Sequence, residues 1–346
     1  MTGVLDRVRD PRNDGPVQDA SSAAIARPSS KRILLVAGSV VAGGLIVWAS
    51  GRGMAIGDLA GSLAGADWRL AALAGVAFMV QVLVQSAAWR IGMRAGGLGA
   101  VPMRHVVAAT WIGKAGNALL PGQMGEVGRV LAVRRHISHE NRCTARIVGS
   151  LVGQRIVAGA ATFLIVATVG LFLPLPFTLP GGRASVGAAI AVMILGVLLG
   201  RSARARAWIV RLVPNRLRGV AGSVACGAGV LGCGRAASRA LGLHVAGLVA
   251  QLAGVALLLQ AFSLQVPLTA AVLIIAALSV GRALPAAPGG VGLTQAAIVL
   301  PLGAIYGVAS GDALGFALGL EAIAVAVALL GGAAALAHQR LAPAAV

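Results

Sequence analysis

The chain has 346 residues, of which 58% are hydrophobic and 11% are charged, and its formal net charge is +19. A typical soluble domain carries about a quarter charged residues, so this composition excludes an ordinary soluble protein and indicates an integral membrane protein. The basic excess does not predict nucleic-acid binding, because the arginines lie between apolar segments without interleaved aromatic residues. It is typical of cytoplasmic loops that follow the positive-inside rule.

Apolar segments long enough to cross a bilayer recur along the chain, without the alternation that membrane strands show. We therefore predict an all-α polytopic membrane protein. Residues 1–32 are rich in charge and proline and cannot bury a core, so they are predicted to form a disordered cytoplasmic tail. Residues 33–340 are predicted to form a single transmembrane domain, followed by a C-terminal tail at 341–346.

Six full transmembrane spans are predicted from the hydropathy of these segments. They lie at about 33–49, 70–89, 147–173, 184–200, 240–264 and 313–337. The second ends at Trp89 and Arg90, which are predicted to anchor it at the membrane interface. The loop at 201–239 carries eight arginines and no acid, which predicts that it is cytoplasmic. The same rule predicts that both termini are cytoplasmic.

A motif occurs twice in the transmembrane domain, near residues 108–129 and 276–295. Each copy has an alanine pair, a glycine followed by a cation, and a helix-breaking Pro-Gly step. The first contains Ala108, Ala109, Gly113, Lys114, Ala115, Pro121, Gly122 and Gly125, and the second contains Ala276, Ala277, Gly281, Arg282, Ala283, Pro288, Gly289 and Gly292. Broken helices at corresponding places in two halves indicate the binding site of a transporter.

Three predicted spans separate the two copies, so the copies should enter the membrane from opposite sides. If each copy dips into the bilayer and returns, the cationic segments all face the cytoplasm. The predicted fold therefore has about six full transmembrane helices plus two re-entrant or broken helical hairpins in an inverted repeat. If each copy instead spans twice, giving ten crossings, the inversion is unchanged.

Ionisable residues inside the apolar segments indicate a functional site, because each costs about 2.5–3.5 kcal/mol to insert. Glu126 and Arg129 are spaced i,i+3 after the first Pro-Gly step, and Glu321 lies inside the last span. The cations at comparable positions are Lys114, Arg129, Arg155 and Arg282. Four cations and two acids leave a surplus of two positive charges, and a phosphate accepts bidentate guanidinium bonds. The charges therefore predict a phospholipid or polyprenyl-phosphate headgroup between the broken helices.

The predicted headgroup-binding residues belong to the two motif copies and to the spans that face them. They are Lys114, Asn117, Pro121, Gly122, Gly125, Glu126, Arg129, Arg155, Arg282, Pro288, Gly289, Gly292, Gln295 and Glu321. Three structural interpretations stay open. Arg155 could snorkel to the cytoplasmic interface, Arg129 could be an ordinary positive-inside residue, and Arg282 could form a purely structural ion pair with Glu321.

Other polar residues predict no further chemistry. His136-x-x-His139-Glu140 has the letters of a zinc protease motif in the wrong order, so neither a metal nor a cofactor is predicted. No catalytic residue is predicted, since acid–base chemistry needs His or carboxylate groups and the membrane interior offers only two acids. Gln81 and Gln85 are predicted to form hydrogen bonds between helices.

Over residues 33–338 the chain resembles the lysylphosphatidylglycerol synthase transmembrane-region family, also called flippase-like or uncharacterised protein family 0104. The resemblance rests on Asn117-Ala-Leu-Leu-Pro121-Gly122-x-x-Gly125-Glu126-x-x-Arg129, on Leu131 and Arg134-Arg135, and on Arg282-x-Leu284-Pro285-x-x-Pro288-Gly289-Gly290-x-Gly292. It implies a module of the bacterial cytoplasmic membrane that moves a lipid between leaflets. With no soluble aminoacyltransferase domain before the end at Val346, it implies at most this translocation half.

Three positions depart from the pattern of the family. Gln154 stands where a glutamate usually precedes Arg155, Gln295 stands where a glutamate follows the second glycine motif, and Glu321 stands near a usual arginine. Either the acid lost at 295 is replaced by the one at 321, which conserves the local charge, or the substrate differs, so the lysyl lipid is not assumed. Two alternative functions stay open, a membrane-embedded lipid-modifying transferase and a non-transporting membrane partner or regulator. Membrane lipids, above all anionic ones, are the predicted partners, and a homo-oligomer is compatible with the sequence.

Overall fold

The computed structural model describes residue 61 and residues 64–120, 123–137, 143–172, 202, 218–281 and 293–341. All regular structure in these ranges is helical. The predicted spans at about 33–49 and 184–200, the predicted N-terminal tail, the C-terminal tail after Leu341, and residues 201 and 203–217 of the basic loop lie outside the described residues. The total of six spans therefore remains a prediction.

Nine α-helices occur in the described part of the chain. They are α1 (Trp68–Ala95), α2 (Met103–Leu119), α3 (Met124–Arg134), α4 (Cys143–Phe172), α5 (Arg218–Gly227), α6 (Gly234–Ala261), α7 (Leu268–Gly281), α8 (Leu293–Tyr306) and α9 (Ser310–Leu341). Four of them, α1, α4, α6 and α9, are long and apolar enough to cross a membrane. They coincide with four of the predicted spans, and each extends beyond the predicted bounds at one end or both.

Helix α1 begins earlier and ends later than its hydropathy predicts. Asp67 precedes it and accepts the backbone N–H groups of Arg69 at 2.8 Å and Leu70 at 3.4 Å, as a capping carboxylate does. The helix then continues through Trp89 to Ala95. The prediction that Trp89 anchors at the membrane interface is wrong, because its side chain is fully buried inside the bundle.

Small residues bring the long helices close together. Helix α1 packs along α6, where Gly254 leaves room for the ring of Phe78. Helix α9 packs against α2, where Gly331 accommodates the indole of Trp111. The bilayer supplies no hydrophobic force that brings helices together, so helix association depends on close packing, which small residues allow. The main apolar core draws its residues from α1, α2, α6, α7, α8 and α9.

Each repeat copy forms a pair of shorter helices. Helices α2 and α3 form the first pair, and α7 and α8 form the second. Helix α3 has 11 residues and α7 and α8 have 14 each, which gives lengths of about 17 and 21 Å. The hydrocarbon core of a bilayer is about 30 Å thick. Helix α3, whose two ends both lie within the described residues, is therefore shorter than a full span.

Candidate functional site

Glycines hold the first helical pair in backbone contact. A Cβ atom on Gly125 would overlap the carbonyl of Gly113 and would lie 2.6 Å from Oδ1 of Asn117. A Cβ atom on Gly116 would lie 2.7 Å from Cα of Gly125. Only residues without a side chain permit this approach. The contact places the first turn of α3, which carries Glu126, directly beside α2.

The carboxylate of Glu126 lies between two guanidinium groups. Nη2 of Arg155 donates to Oε1 of Glu126 at 3.2 Å and to Oε1 of Gln123 at 2.8 Å. Nη1 of Arg129 lies 3.7 Å from Oε2 of Glu126, so the predicted i,i+3 pair is confirmed. We call Glu126, Arg129 and Arg155 the Arg-Glu-Arg cluster. It joins the start of α3 to the middle of α4.

Arg129 is held inside the helix bundle. Its guanidinium carbon lies 3.8 Å from the centroid of the Trp89 ring, a cation–π contact. Its Nη2 donates to Oε1 of Gln154 at 3.0 Å, and Nε2 of Gln154 donates to the backbone carbonyl of Gln85 at 3.1 Å. The residue is only 9% exposed. This burial argues against the interpretation of Arg129 as an ordinary positive-inside residue, since such residues lie in water.

The indole ring of Trp89, which contacts the Arg129 guanidinium, is itself held in place by hydrogen bonds. Its indole N–H donates to Oγ of Ser150 at 3.0 Å, and Ser150 donates to the carbonyl of Ile147 at 2.7 Å. The ring is therefore fixed between α1 and α4. Because the cation rests on a fixed surface, the orientation of Arg129 is set before any ligand binds.

Arg155 is the accessible cation of the cluster. Its side chain is 58% exposed, and Val152 and Ile156 beside it on α4 are exposed as well. It lies twelve residues after the start of α4, about 18 Å along the helix axis. Its guanidinium is bonded to α3, so snorkelling alone does not describe its position. Two cations and one carboxylate leave the cluster with a net charge of +1.

Several polar atoms of this region have no hydrogen-bond partner within the described residues. They are Oδ1 of Asn117, Oε2 of Glu126 and Nε of Arg129, and a fourth is Nε2 of His244 on α6. Buried polar atoms in native proteins are nearly always bonded to protein, water or a ligand. The first three lie in or beside the Arg-Glu-Arg cluster, which therefore holds two acceptors and one donor without a hydrogen-bond partner among the described residues.

Lys114 and Glu321 lie elsewhere. They line a cavity of about 60 Å³ together with Gln81, Gln251 and Trp111. Nε2 of Gln81 donates to Oε1 of Gln251 at 2.6 Å, which confirms the predicted interhelical role of Gln81. The structure therefore divides the predicted site residues into two groups.

Helix α2 lies between these two groups. Its face with Gly113, Gly116 and Asn117 contacts α3, whereas Trp111 and Lys114 line the cavity next to α9. Adjacent residues on a helix point in directions about 100° apart. Gly113 and Lys114 therefore serve different neighbours although they are consecutive.

The remaining predicted site residues belong to the break of the first copy and to the second copy. Gln295 is buried on α8. Those outside the described residues are Pro121, Gly122, Arg282, Pro288, Gly289 and Gly292. The interpretation of Arg282 and Glu321 as an ion pair therefore remains untested.

Two histidines join the ends of the first helical pair. His105 in the first turn of α2 stacks on His136, which follows α3, with ring centroids 3.7 Å apart. Burial lowers the pKa of both imidazoles, and nearby positive charges lower it further. His139 and Glu140, the other residues of the motif that has the zinc protease letters in the wrong order, lie outside the described residues.

Sequence reasoning missed three participants. Trp89 resembles an interface anchor in sequence, because a buried tryptophan and an anchoring one have the same flanking residues. Gln123 gave no signal, since its contact with Arg155 depends on the left-handed backbone at φ 60° that ends the break. The sequence did contain a signal for Gln251, because a polar residue inside an apolar span is often hydrogen-bonded to another helix.

The comparison with known families agrees with the geometry. The family model described as "Lysylphosphatidylglycerol synthase TM region" matches residues 35–332. No curated protein matches the chain. With four long apolar helices in its described part, the chain is a multi-pass membrane protein that belongs to the lysylphosphatidylglycerol synthase transmembrane-region family.

Proposed function

We propose that this protein binds an anionic phospholipid or polyprenyl-phosphate-type lipid by its headgroup and moves it between the leaflets of the membrane. The observation that carries the proposal is the Arg-Glu-Arg cluster, which has a net charge of +1 and opens onto an apolar surface. Membership of a family of lipid-related membrane domains supports the same conclusion.

The chemistry of the cluster favours a phosphate. Arg155 is bonded to Glu126 through a single contact of 3.2 Å, while Arg129 stays paired with the same carboxylate. A phosphate can accept two guanidinium bonds at once, so it can compete for Arg155 without unpairing Arg129. The backbone N–H groups in the first turn of α3 add positive potential at the same place.

The surroundings of the cluster favour a lipid over a free anion. Met124, Val127 and Leu131 are exposed on α3, as are Val152 and Ile156 on α4. These apolar side chains are suited to contact acyl chains, since large exposed apolar surfaces of membrane helices face the bilayer. A lipid can thus place its headgroup at Arg155 while its tails remain in the membrane.

We also propose that the two repeat copies are re-entrant hairpins related by inversion. The contact between His105 and His136 supports this for the first copy, because the hairpin then begins and ends on one side. The short length of α3 supports it as well. Arg282 in the second copy would then approach the headgroup from the opposite side.

Arg155→Gln tests the headgroup site. The wild-type protein and the variant are reconstituted in vesicles of phosphatidylcholine with or without phosphatidylglycerol, and the rate at which labelled phosphatidylglycerol changes leaflet is measured. A hydrogen bond to a charged group contributes about 1.5–3 kcal/mol, so we expect the rate to fall at least about tenfold. A wild-type rate would contradict the proposal.

Arg239→Gln is the matched control. Arg239 is an exposed cation near the start of α6. Its substitution removes the same charge outside the Arg-Glu-Arg cluster. We expect it to retain the wild-type rate. Exposed ion pairs contribute only about 0–1 kcal/mol to stability, so both variants should keep the wild-type melting temperature in detergent.

Mass spectrometry of the lipids that co-purify with wild type and Arg155→Gln identifies the lipid.

A further inference from the structure

The cavity on the other side of α2 has its own chemistry. Four polar side chains meet there from four helices, namely Gln81 on α1, Lys114 on α2, Gln251 on α6 and Glu321 on α9. Apolar side chains such as Phe78 and Leu278 form the rest of its wall. Ionisable residues at this depth normally face a partner or a hydrated space and mark ion or proton paths.

The size of the cavity restricts what it can hold. Its volume is about 60 Å³, and one water needs about 10–15 Å³ on this measure. There is room for about four to six waters, and the polar wall supplies the partners that such waters need. The cavity is therefore suited to water and to species that move with water.

Among the residues that line the cavity, Lys114 and Glu321 are the ionisable ones. Helices α1 and α6 contribute the neutral carboxamides Gln81 and Gln251, and α7 contributes Leu278. On α9, the residues Ala324 and Val327 that line the cavity after Glu321 are apolar and carry no titratable group. When both ions are charged the cavity is neutral, and one proton on Glu321 changes its net charge to +1.

Helix α2 connects this change of charge to the Arg-Glu-Arg cluster. Lys114 lines the cavity, whereas Gly113 and Gly116 on the same helix contact α3 beside Glu126. An anion at the cluster favours a positive charge nearby, so it favours the protonated form of Glu321. By linkage, a proton on Glu321 then favours the anion to the same extent.

We propose that this cavity is a proton-binding site that couples lipid movement to a transmembrane proton gradient. A hydronium ion among the waters of the cavity breaks one O–H bond and becomes water as the carboxylate of Glu321 gains an O–H bond, and the reverse transfer to water occurs after the lipid has moved. Lys114 holds the carboxylate in place in both forms. This inference rests on the proposed function of the cluster, and it assigns Lys114 and Glu321 to the proton and not to the headgroup.

The first test uses Glu321→Gln in reconstituted vesicles. The distribution of labelled phosphatidylglycerol between leaflets is measured with and without a pH gradient. If one proton moves with each lipid, a gradient of one pH unit shifts the wild-type distribution by up to about tenfold, and Glu321→Gln shows no shift. Asp312→Asn is the control, since Asp312 is an exposed acid at the start of the same helix. It should behave like wild type.

The outcomes separate the two proposals. If wild type moves the lipid equally well with and without the gradient, the proton site is refuted and the headgroup site stands. If Glu321→Gln responds to the gradient as wild type does, the proton site is refuted as well. If wild type moves no lipid at all, the proposed function fails, and the proton site is then decided by a measurement that needs no lipid.

That measurement is the fluorescence of Trp111, which lines the same cavity. The emission of purified protein in detergent is followed against pH. We expect a transition in wild type and in Asp312→Asn that is absent from both Trp111→Phe and Glu321→Gln. A transition of wild-type amplitude in Glu321→Gln would refute protonation of Glu321. Glu321→Asp, which keeps the carboxylate, should restore the transition if Glu321→Gln folds poorly.

Discussion

Two charged regions in the described part of the chain lie on different faces of α2 and differ in net charge. In the Arg-Glu-Arg cluster, two cations share one carboxylate, and Arg155 reaches the exposed apolar surface. In the cavity, Lys114 and Glu321 carry opposite charges, and both are half-buried beside residues of the main core. Charged residues that lie equally far inside apolar segments of the sequence can therefore differ in their surroundings in the folded protein.

Access decides what each region can exchange. The cluster opens laterally between α3 and α4, so its proposed ligand arrives from the bilayer with its tails attached. The cavity, with room for about four to six waters, is lined by both polar and apolar side chains and is suited to small polar species. The predictions that follow change one region at a time and ask whether the other responds.

Arg129→Ala should have the largest effect on stability. It removes a buried cation that contacts Trp89 and Gln154 and that pairs with Glu126. Removing one partner of a buried pair costs about 3–5 kcal/mol, and because Glu126 keeps Arg155 we expect the lower end of this range. The measurement is thermal unfolding in detergent, with lipid movement measured in parallel.

Arg134→Ala serves as its control, since Arg134 is an exposed cation at the end of the same helix. It should unfold within about 0.5 kcal/mol of wild type. Equal losses in the two variants would mean that the burial of Arg129 does not stabilise the bundle. The pH-dependent emission of Trp111 should persist in both variants below their unfolding temperature.

Gly125→Ala should have the next largest effect. Its Cβ atom meets the backbone of Gly113 and the side chain of Asn117, so α3 must move away from α2. Overpacking of this kind costs about 1–3 kcal/mol. Lipid movement should fall, because Glu126 moves with α3. The measurement is the rate of leaflet exchange at a temperature where the variant is folded.

Gly128→Ala provides the comparison on the same helix. The nearest atom to its Cβ would be Cγ2 of Ile112 at 3.7 Å, an ordinary contact. Alanine also favours a helix over glycine by up to about 1 kcal/mol. We expect unchanged or raised stability and normal lipid movement. If both variants lost activity equally, loss of glycine flexibility in α3 would explain the result, and the contact at Gly125 would not.

The smallest effect should come from the amide pair of the cavity. Gln81→Leu, Gln251→Leu and the double variant form a thermodynamic cycle around their hydrogen bond of 2.6 Å. Interhelical hydrogen bonds in membrane proteins average about 0.6 kcal/mol, and we expect a coupling of this size in detergent unfolding. Because both amides line the cavity, the Trp111 transition should shift in pH while lipid binding at the cluster persists. No coupling would mean that the two side chains act independently.

Much of the fold follows from hydropathy and local pattern. Long apolar runs predict α1, α4, α6 and α9, and the spacing of Glu126 and Arg129 predicts their ion pair. The Pro-Gly step predicts that the first copy breaks between α2 and α3. These features depend on residues close in sequence, and local geometry is enough to foresee them.

The division of the site could not be foreseen in the same way. Lys114 and Arg129 are close in sequence and both lie in apolar surroundings, so pattern alone puts them together. Which face of α2 meets α3 and which meets α9 depends on glycine contacts at Gly113, Gly125 and Gly331. Such packing involves residues far apart in the chain. Burial of Trp89 escapes prediction for the same reason.

Gly113 and Lys114 are linked by a single peptide bond, yet one touches the helix that carries Glu126 and the other lines the cavity. The backbone of a helix is bonded from each turn to the next, so α2 acts as a stiff rod between the two regions. A displacement of α2 would therefore move the residues at both surfaces together.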